Sequence, residues 1–97
     1  MMRLEFSPES QLDLLEIADF IARDNPVRAR SFVDELESDC NRLTTQPGIG
    51  APRPELCDGV RMLPHGRYLV FYRVDDDVVL IVRVLHSARD LDTLFHQ

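Results

Sequence analysis

A chain of 97 residues, 44% hydrophobic and 29% charged, has room for one folded domain, expected to span residues 1–97, and shows none of the apolar poverty that marks disorder. No apolar run approaches the roughly 20 residues of a membrane-spanning helix, and Met1-Met2-Arg3-Leu4-Glu5 lacks the apolar segment of a secretion signal, so a cytoplasmic protein is expected. A net charge of −6 repels polyanions at long range, so direct nucleic-acid binding is not expected and would need a local basic patch.

Arg3-Leu4-Glu5-Phe6 alternates polar and apolar residues, the pattern of a short strand with one buried face. Ser7-Pro8-Glu9 then opens a helix: Ser7 is a good cap, Pro8 suits the first helical position, and Glu9 favours the positive end of the dipole. At 100° per residue, Leu14, Leu15, Ile17, Ala18, Ile21 and Ala22 fill an apolar arc of about 160°. Leu12 and Phe20 lie outside it, among Asp13, Glu16, Asp19 and Arg23, leaving more apolar surface than one core needs.

Asp24-Asn25-Pro26 breaks this helix and begins another, because the residue before proline avoids the helical region while Asn25 caps the new turn. Ala29, Phe32, Val33, Leu36, Cys40 and Leu43 recur at spacings of three and four along it, and Thr44 to Pro47 ends it. The two helices are expected to form a hairpin. A glycine- and proline-rich loop from Pro47 to Asp58 follows, long enough to be either a partner contact or a strut braced by its prolines.

Three strands are predicted next: a short one over Val60–Leu63 and longer ones over Arg67–Val74 and Val78–His86, the last two joined by Asp75-Asp76-Asp77 as a tight turn. Apolar residues at both parities of the last strand imply burial on both faces and a central position. Leu91 to Phe95 reads as a short terminal turn or helix. The expected class is α+β, with an N-terminal strand, a helical hairpin and a three-stranded antiparallel meander forming one sheet. One sheet face packs on the helices, and the other is where function is expected.

All eleven cationic side chains are arginine, a residue suited to planar, bidentate contacts. Arg61, Arg67, Arg73 and Arg83 all fall on the predicted strands. If Arg83 shares the helix-free face with Val79 and Ile81, they form a cationic patch on an apolar floor; alternatively, each pairs with a local acid such as Glu55, Asp58 or Asp75. His86 ends a strand beside Arg89, which suits either a proton shuttle or a ring hydrogen-bonded to a backbone carbonyl. Arg89-Asp90 reads as a fastening, with Asp90 capping the last turn.

No phosphate loop, zinc spacing or nucleophile elbow occurs, so no metal and no catalytic residue is assigned. Cys40 and Cys57 match neither a metal motif nor a disulfide framework, and Cys40 reads as a small core residue. A thiol–imidazole pair of Cys57 with His65 or His86 has nothing to place Cys57 in a cleft. Asp75-Asp76-Asp77 is a solvated turn that offers a divalent ion poor geometry.

Asp13-Leu14, Ile17-Ala18, Asn25-Pro26, Arg53-Pro54-Glu55-Leu56, Gly59-Val60-Arg61, Tyr68 to Val74, Arg83-Val84-Leu85-His86 and Arg89-Asp90 stand in an order and spacing that resembles ParE-type toxins of the RelE/ParE superfamily, from type II toxin–antitoxin modules. The resemblance covers nearly the whole chain. It implies the fold above, no cofactor, and a hetero-oligomer with a ParD-like antitoxin whose disordered tail lies on the hairpin as a helix and adds an edge strand. Leu12, Leu15 and Phe20 are the expected anchors of that helix, although the chain's own termini would serve equally to cover Leu12 and Phe20.

Proteins similar to ParE inhibit DNA gyrase by protein contact, whereas those similar to RelE cut mRNA on the ribosome with sheet cations and a tail tyrosine. Here the position matching a catalytic arginine in the middle strand is Leu69, and the tail aromatic is Phe95, which has no hydroxyl. The resemblance therefore implies a gyrase inhibitor with Arg61, Arg67, Arg73, Arg83, His86 and Arg89 as target contacts. A RelE-like endoribonuclease using His86 and Arg89 is the alternative.

Overall fold

The Ser7 side chain accepts a hydrogen bond from the Ser10 N–H at 3.0 Å, so the first helix begins where its cap and proline place it. The computed structural model describes residues 1–95. Its elements are strand β1 (Arg3–Phe6), helices α1 (Pro8–Ala22) and α2 (Pro26–Arg42), strands β2 (Ala51–Pro52), β3 (Arg61–His65), β4 (Tyr68–Asp75) and β5 (Val78–His86), and helix α3 (Leu91–Phe95). Asn25 caps α2 through the Arg28 N–H at 3.0 Å, which closes the hairpin. Asp76, at φ +51, makes the β4–β5 turn, a conformation that aspartate tolerates better than most residues.

The meander is present and is extended at both edges into a five-stranded sheet ordered β1-β5-β4-β3-β2. The two-residue β2 lies antiparallel to β3, and β1 runs parallel to β5, with Arg3 opposite Val78 and Phe6 opposite Ile81. Parallel pairing needs a long crossover, which the sequence between β1 and β5 supplies. Strand β5 thus has a neighbour on each side, as its two-sided apolar pattern predicts.

On one face, Val70, Tyr72, Val79, Ile81 and Val84 pack on the helical residues Ile17, Phe32, Leu36 and Cys40. The other face, where function was expected, carries a second core. There Phe71 and Leu85 meet Leu56 and Val60 from the loop region, and Leu91, Leu94 and Phe95 of α3 lie over them. The Phe71 and Phe95 rings meet edge to face at 4.9 Å. Exposed apolar area on that face is unfavourable by about 25 cal/mol per Å², which is the physical reason for the cover.

The proline-rich loop is a strut. The buried Tyr72 hydroxyl donates to the Pro47 carbonyl at 2.7 Å and accepts the Gly50 N–H at 2.9 Å. Both cysteines are free, and burial pushes the Cys40 thiol up to about 12. Among the described residues no helix is long and apolar enough to cross a membrane.

Candidate functional site

Asp13 was read as part of the outer polar face of α1, yet it is buried and faces the sheet with Ser10 and Ile17. Its carboxylate accepts from Arg83 Nε at 2.8 Å, from the Arg83 Nη2 group at 2.9 Å and from the Val84 N–H at 2.9 Å. The cause on the sheet side is a β-bulge: Phe71 is paired with Arg83 but Tyr72 with Ile81, so Val82 is extra. Ser7 holds the same bulge, its N–H on the Ile81 carbonyl at 2.9 Å and its hydroxyl on the Val82 carbonyl at 2.7 Å. The bidentate contact with Asp13 raises the Arg83 guanidinium above its already high pKa.

This overturns the patch in which Arg83 joins Val79 and Ile81 on a helix-free face, because Val79 and Ile81 lie in the helix-side core and Arg83 is tied to a helix. Arg61 is also engaged, donating to the Gly50 carbonyl at 2.7 Å rather than to a local acid. Arg67 immediately precedes β4 and Arg73 lies within its far half, about 20 Å apart at the rise of a strand. Together with Arg89, they make no ion pair among the described residues. The sheet arginines therefore do not form one patch.

A cleft of about 390 Å³ opens between α1 and the end of β5, and it gathers residues the sequence reading kept apart. Phe20, His86 and Arg89 line it together with Glu16, Arg23 and Tyr68. His86 was read as either a proton shuttle or a ring bonded to a backbone carbonyl; its Nδ1 accepts the Ala88 N–H at 3.0 Å. A nitrogen that accepts carries no proton, so the ring's N–H is at Nε2. The ring also meets Tyr68 edge-on at 5.2 Å. Glu16, Arg23 and Tyr68 were not singled out from sequence, although residues 13, 16, 20 and 23 form one helical row that signals a shared face.

A second hollow, of about 490 Å³, lies along the hairpin and is lined by Phe6, Leu14, Leu15, Ala18 and Val33. Leu12, Leu15 and Phe20 are 60%, 63% and 64% exposed, so neither described terminus covers them. Leu15 lines this groove, Phe20 lines the cleft, and Leu12 stands on the open face of α1.

His65 clasps α2 to β3, with Nδ1 2.6 Å from Asp39 and Nε2 3.1 Å from Glu35. Arg28, and then His65, hold the Glu35 carboxyl below its usual range. With both ring nitrogens engaged, His65 has no free nitrogen with which to activate Cys57. Among the described residues no cluster of three histidine, cysteine or acidic side chains is arranged to hold a metal ion.

A family model described as the ParE toxin of the type II toxin–antitoxin system parDE matches residues 4–91. Toxin ParE1 of Caulobacter vibrioides is 36% identical over 61 residues, a stretch that covers 63% of this chain and 62% of ParE1. This match therefore spans less than two thirds of that relative's length. A solved chain of the chromosomal ParDE toxin–antitoxin system from P. aeruginosa matches with a TM-score of 0.77 and 26% identity, over 89% of this chain and 96% of that one. The RelBE2 toxin–antitoxin complex from Mycobacterium tuberculosis shares the fold, with a TM-score of 0.58 at 24% identity over 88% of this chain and 96% of its own.

Proposed function

We propose that this chain, which belongs to the ParE toxin family of type II toxin–antitoxin systems, is a cytoplasmic, single-domain toxin that inhibits DNA gyrase by protein contact and is neutralised by a ParD-like antitoxin. The observation that carries the reading is the pair of apolar surfaces left open on the hairpin, one at Leu12 and Leu15 and one at Phe20. Surfaces of this kind on a small chain suit an amphipathic helix laid along α1, as an antitoxin tail provides. Contact with the target falls to Arg67, Arg73 and Arg89, which make no ion pair among the described residues, with His86 beside Arg89 in the cleft. Arg61 and Arg83 support that surface through the loop and through α1.

The acting group is the protein surface itself, without a cofactor. The Phe95 ring, in the position of a tail aromatic, packs on Phe71 and serves as a cover for the sheet. A supercoiling assay with purified gyrase tests the proposal: inhibition with accumulation of cleaved DNA is expected, and full gyrase activity at saturating toxin would defeat it.

One observation favours a second reading, ribosome-dependent mRNA cleavage: His86, Tyr68 and Arg89 line one cleft, as acid–base and charge-stabilising groups would. Programmed ribosomes distinguish the two, since codon-specific cleavage of mRNA belongs to this reading alone.

A further inference from the structure

The cleft between α1 and β5 has a chemistry that the family reading does not specify. Arg23 and Arg89 line it without an ion pair among the described residues, and both are exposed. Arg23 stands at the C-cap of α1, where the negative end of the helix dipole favours a cation. The Asp13 carboxylate at the cleft is neutralised by Arg83, leaving Glu16 as the acid that faces the space. His86 contributes a ring whose Nδ1 is occupied by a backbone N–H, so its remaining polar function is the Nε2–H donor. Phe20 and Tyr68 supply aromatic walls.

We infer that this cleft binds a carboxylate carried on a short apolar or aromatic body, as in an acidic peptide segment of a partner protein. Donors outnumber acceptors here in a chain whose overall charge is −6, so the cleft is a local cationic spot on an acidic molecule. A single carboxylate in this cleft has Arg23 and Arg89 in its lining against one unneutralised acid, Glu16. A polyphosphate strand, by contrast, meets the field of the whole chain, which disfavours RNA as the occupant. Arginine offers the carboxylate a bidentate fork, and the aromatic walls reward an apolar neighbour in the same segment. The inference rests on the protein-contact reading above and places Phe20, taken as an antitoxin anchor, in the same recess as the target contacts His86 and Arg89. One acidic, apolar segment seated there denies the recess to another.

The test uses the full chain, labelled with ¹⁵N, and three small probes followed by amide shifts: 4-phenylbutyrate, its uncharged amide, and guanosine 5′-monophosphate. Saturable shifts at Phe20, Tyr68, His86 and Arg89 with the carboxylate are expected, with the amide about tenfold weaker. Substituting both Arg23→Gln and Arg89→Gln is expected to weaken the carboxylate about tenfold, whereas Arg3→Gln on the distant β1 edge leaves it unchanged. Equal binding of acid and amide, shifts confined to the Leu15 groove, or tighter binding of the nucleotide would each overturn the inference. Failure here with gyrase still inhibited removes the carboxylate site and leaves the gyrase reading standing. Probe binding with gyrase unaffected keeps the carboxylate site and removes the gyrase reading.

Discussion

Asp13 and Arg83, 70 residues apart in sequence, form a two-pronged ion pair at 2.8 and 2.9 Å that fastens the first helix to a bulge in the fifth strand. The same carboxylate takes the Val84 N–H, so three donors converge on one buried side chain. The cleft at the end of β5 is built around this joint, because Asp13 and Val84 both contribute to its lining.

Asp13→Ala is expected to destabilise the chain by about 2–4 kcal/mol, because it strands a guanidinium and a buried backbone N–H together. Asp13→Asn should lose less, since the amide oxygen still accepts from Val84. Urea unfolding measures both, and an Asp13→Ala variant within about 0.5 kcal/mol of the parent would show that the joint is incidental.

Tyr72→Phe leaves the Pro47 carbonyl and the buried Gly50 N–H without their partner and is expected to cost about 1–3 kcal/mol. At Gly50 an added Cβ would fall 2.5 Å from the Tyr72 oxygen, so Gly50→Ala should displace the ring or the loop. Chemical denaturation of the two single variants and the double variant provides the check. If the losses simply add, the two residues do not act as one strut.

Burial raises the Cys40 thiol from 9.0 to about 12 and also raises the Tyr72 phenol. A raised folded pKa means that the native state holds its proton longer. The stability involved is fully present below the unfolded value, pH 9.0 for the thiol, and is lost as pH rises toward about 12. Cys40→Ala should therefore flatten the decline in stability above pH 9.0, measured by urea midpoints across the alkaline range. In the native protein at pH near 8, a thiol reagent should label Cys57 first and reach Cys40 only on unfolding. Equal labelling rates would contradict the burial argument.

Leu12→Glu and Leu15→Glu change exposed side chains and should shift the melting temperature by no more than about 2 °C. Each is expected to weaken antitoxin binding by at least about tenfold, because it puts a charge where an apolar partner surface would have to desolvate it, at Leu15 in the hairpin groove and at Leu12 on the open face of α1. Calorimetric titration with the proposed ParD-like antitoxin gives the answer. Unchanged affinity in both variants would remove the hairpin from the antitoxin interface.

Much of the architecture was legible in the sequence. Ser7-Pro8 and Asn25-Pro26 start their helices where expected, and β5 spans Val78–His86 as its apolar run predicts. These signals are local: a cap reaches three residues, a helical face repeats every three or four, and a strand every two. That Leu12 and Phe20 lie off the core-facing arc of α1 was legible for the same reason, whereas their exposure, left open between a partner and the chain's own termini, came from the structure. Asp13 was misplaced because charge alone assigned it to solvent, while the partner that makes its burial tolerable lies on another element.

The helices, the meander and the surplus of apolar residues on α1 can be read from the chain alone, since each follows from neighbours within a turn or a hairpin. Long-range packing selects which arginines are engaged and which face outward, closes the second sheet face with α3, and brings Phe20, Arg23, His86 and Arg89 to one cleft. The bulge at Val82 and the parallel pairing of β1 with β5 set those contacts. Both arise from hydrogen bonds between segments far apart in the chain, to which neither hydrophobic period nor capping chemistry is sensitive.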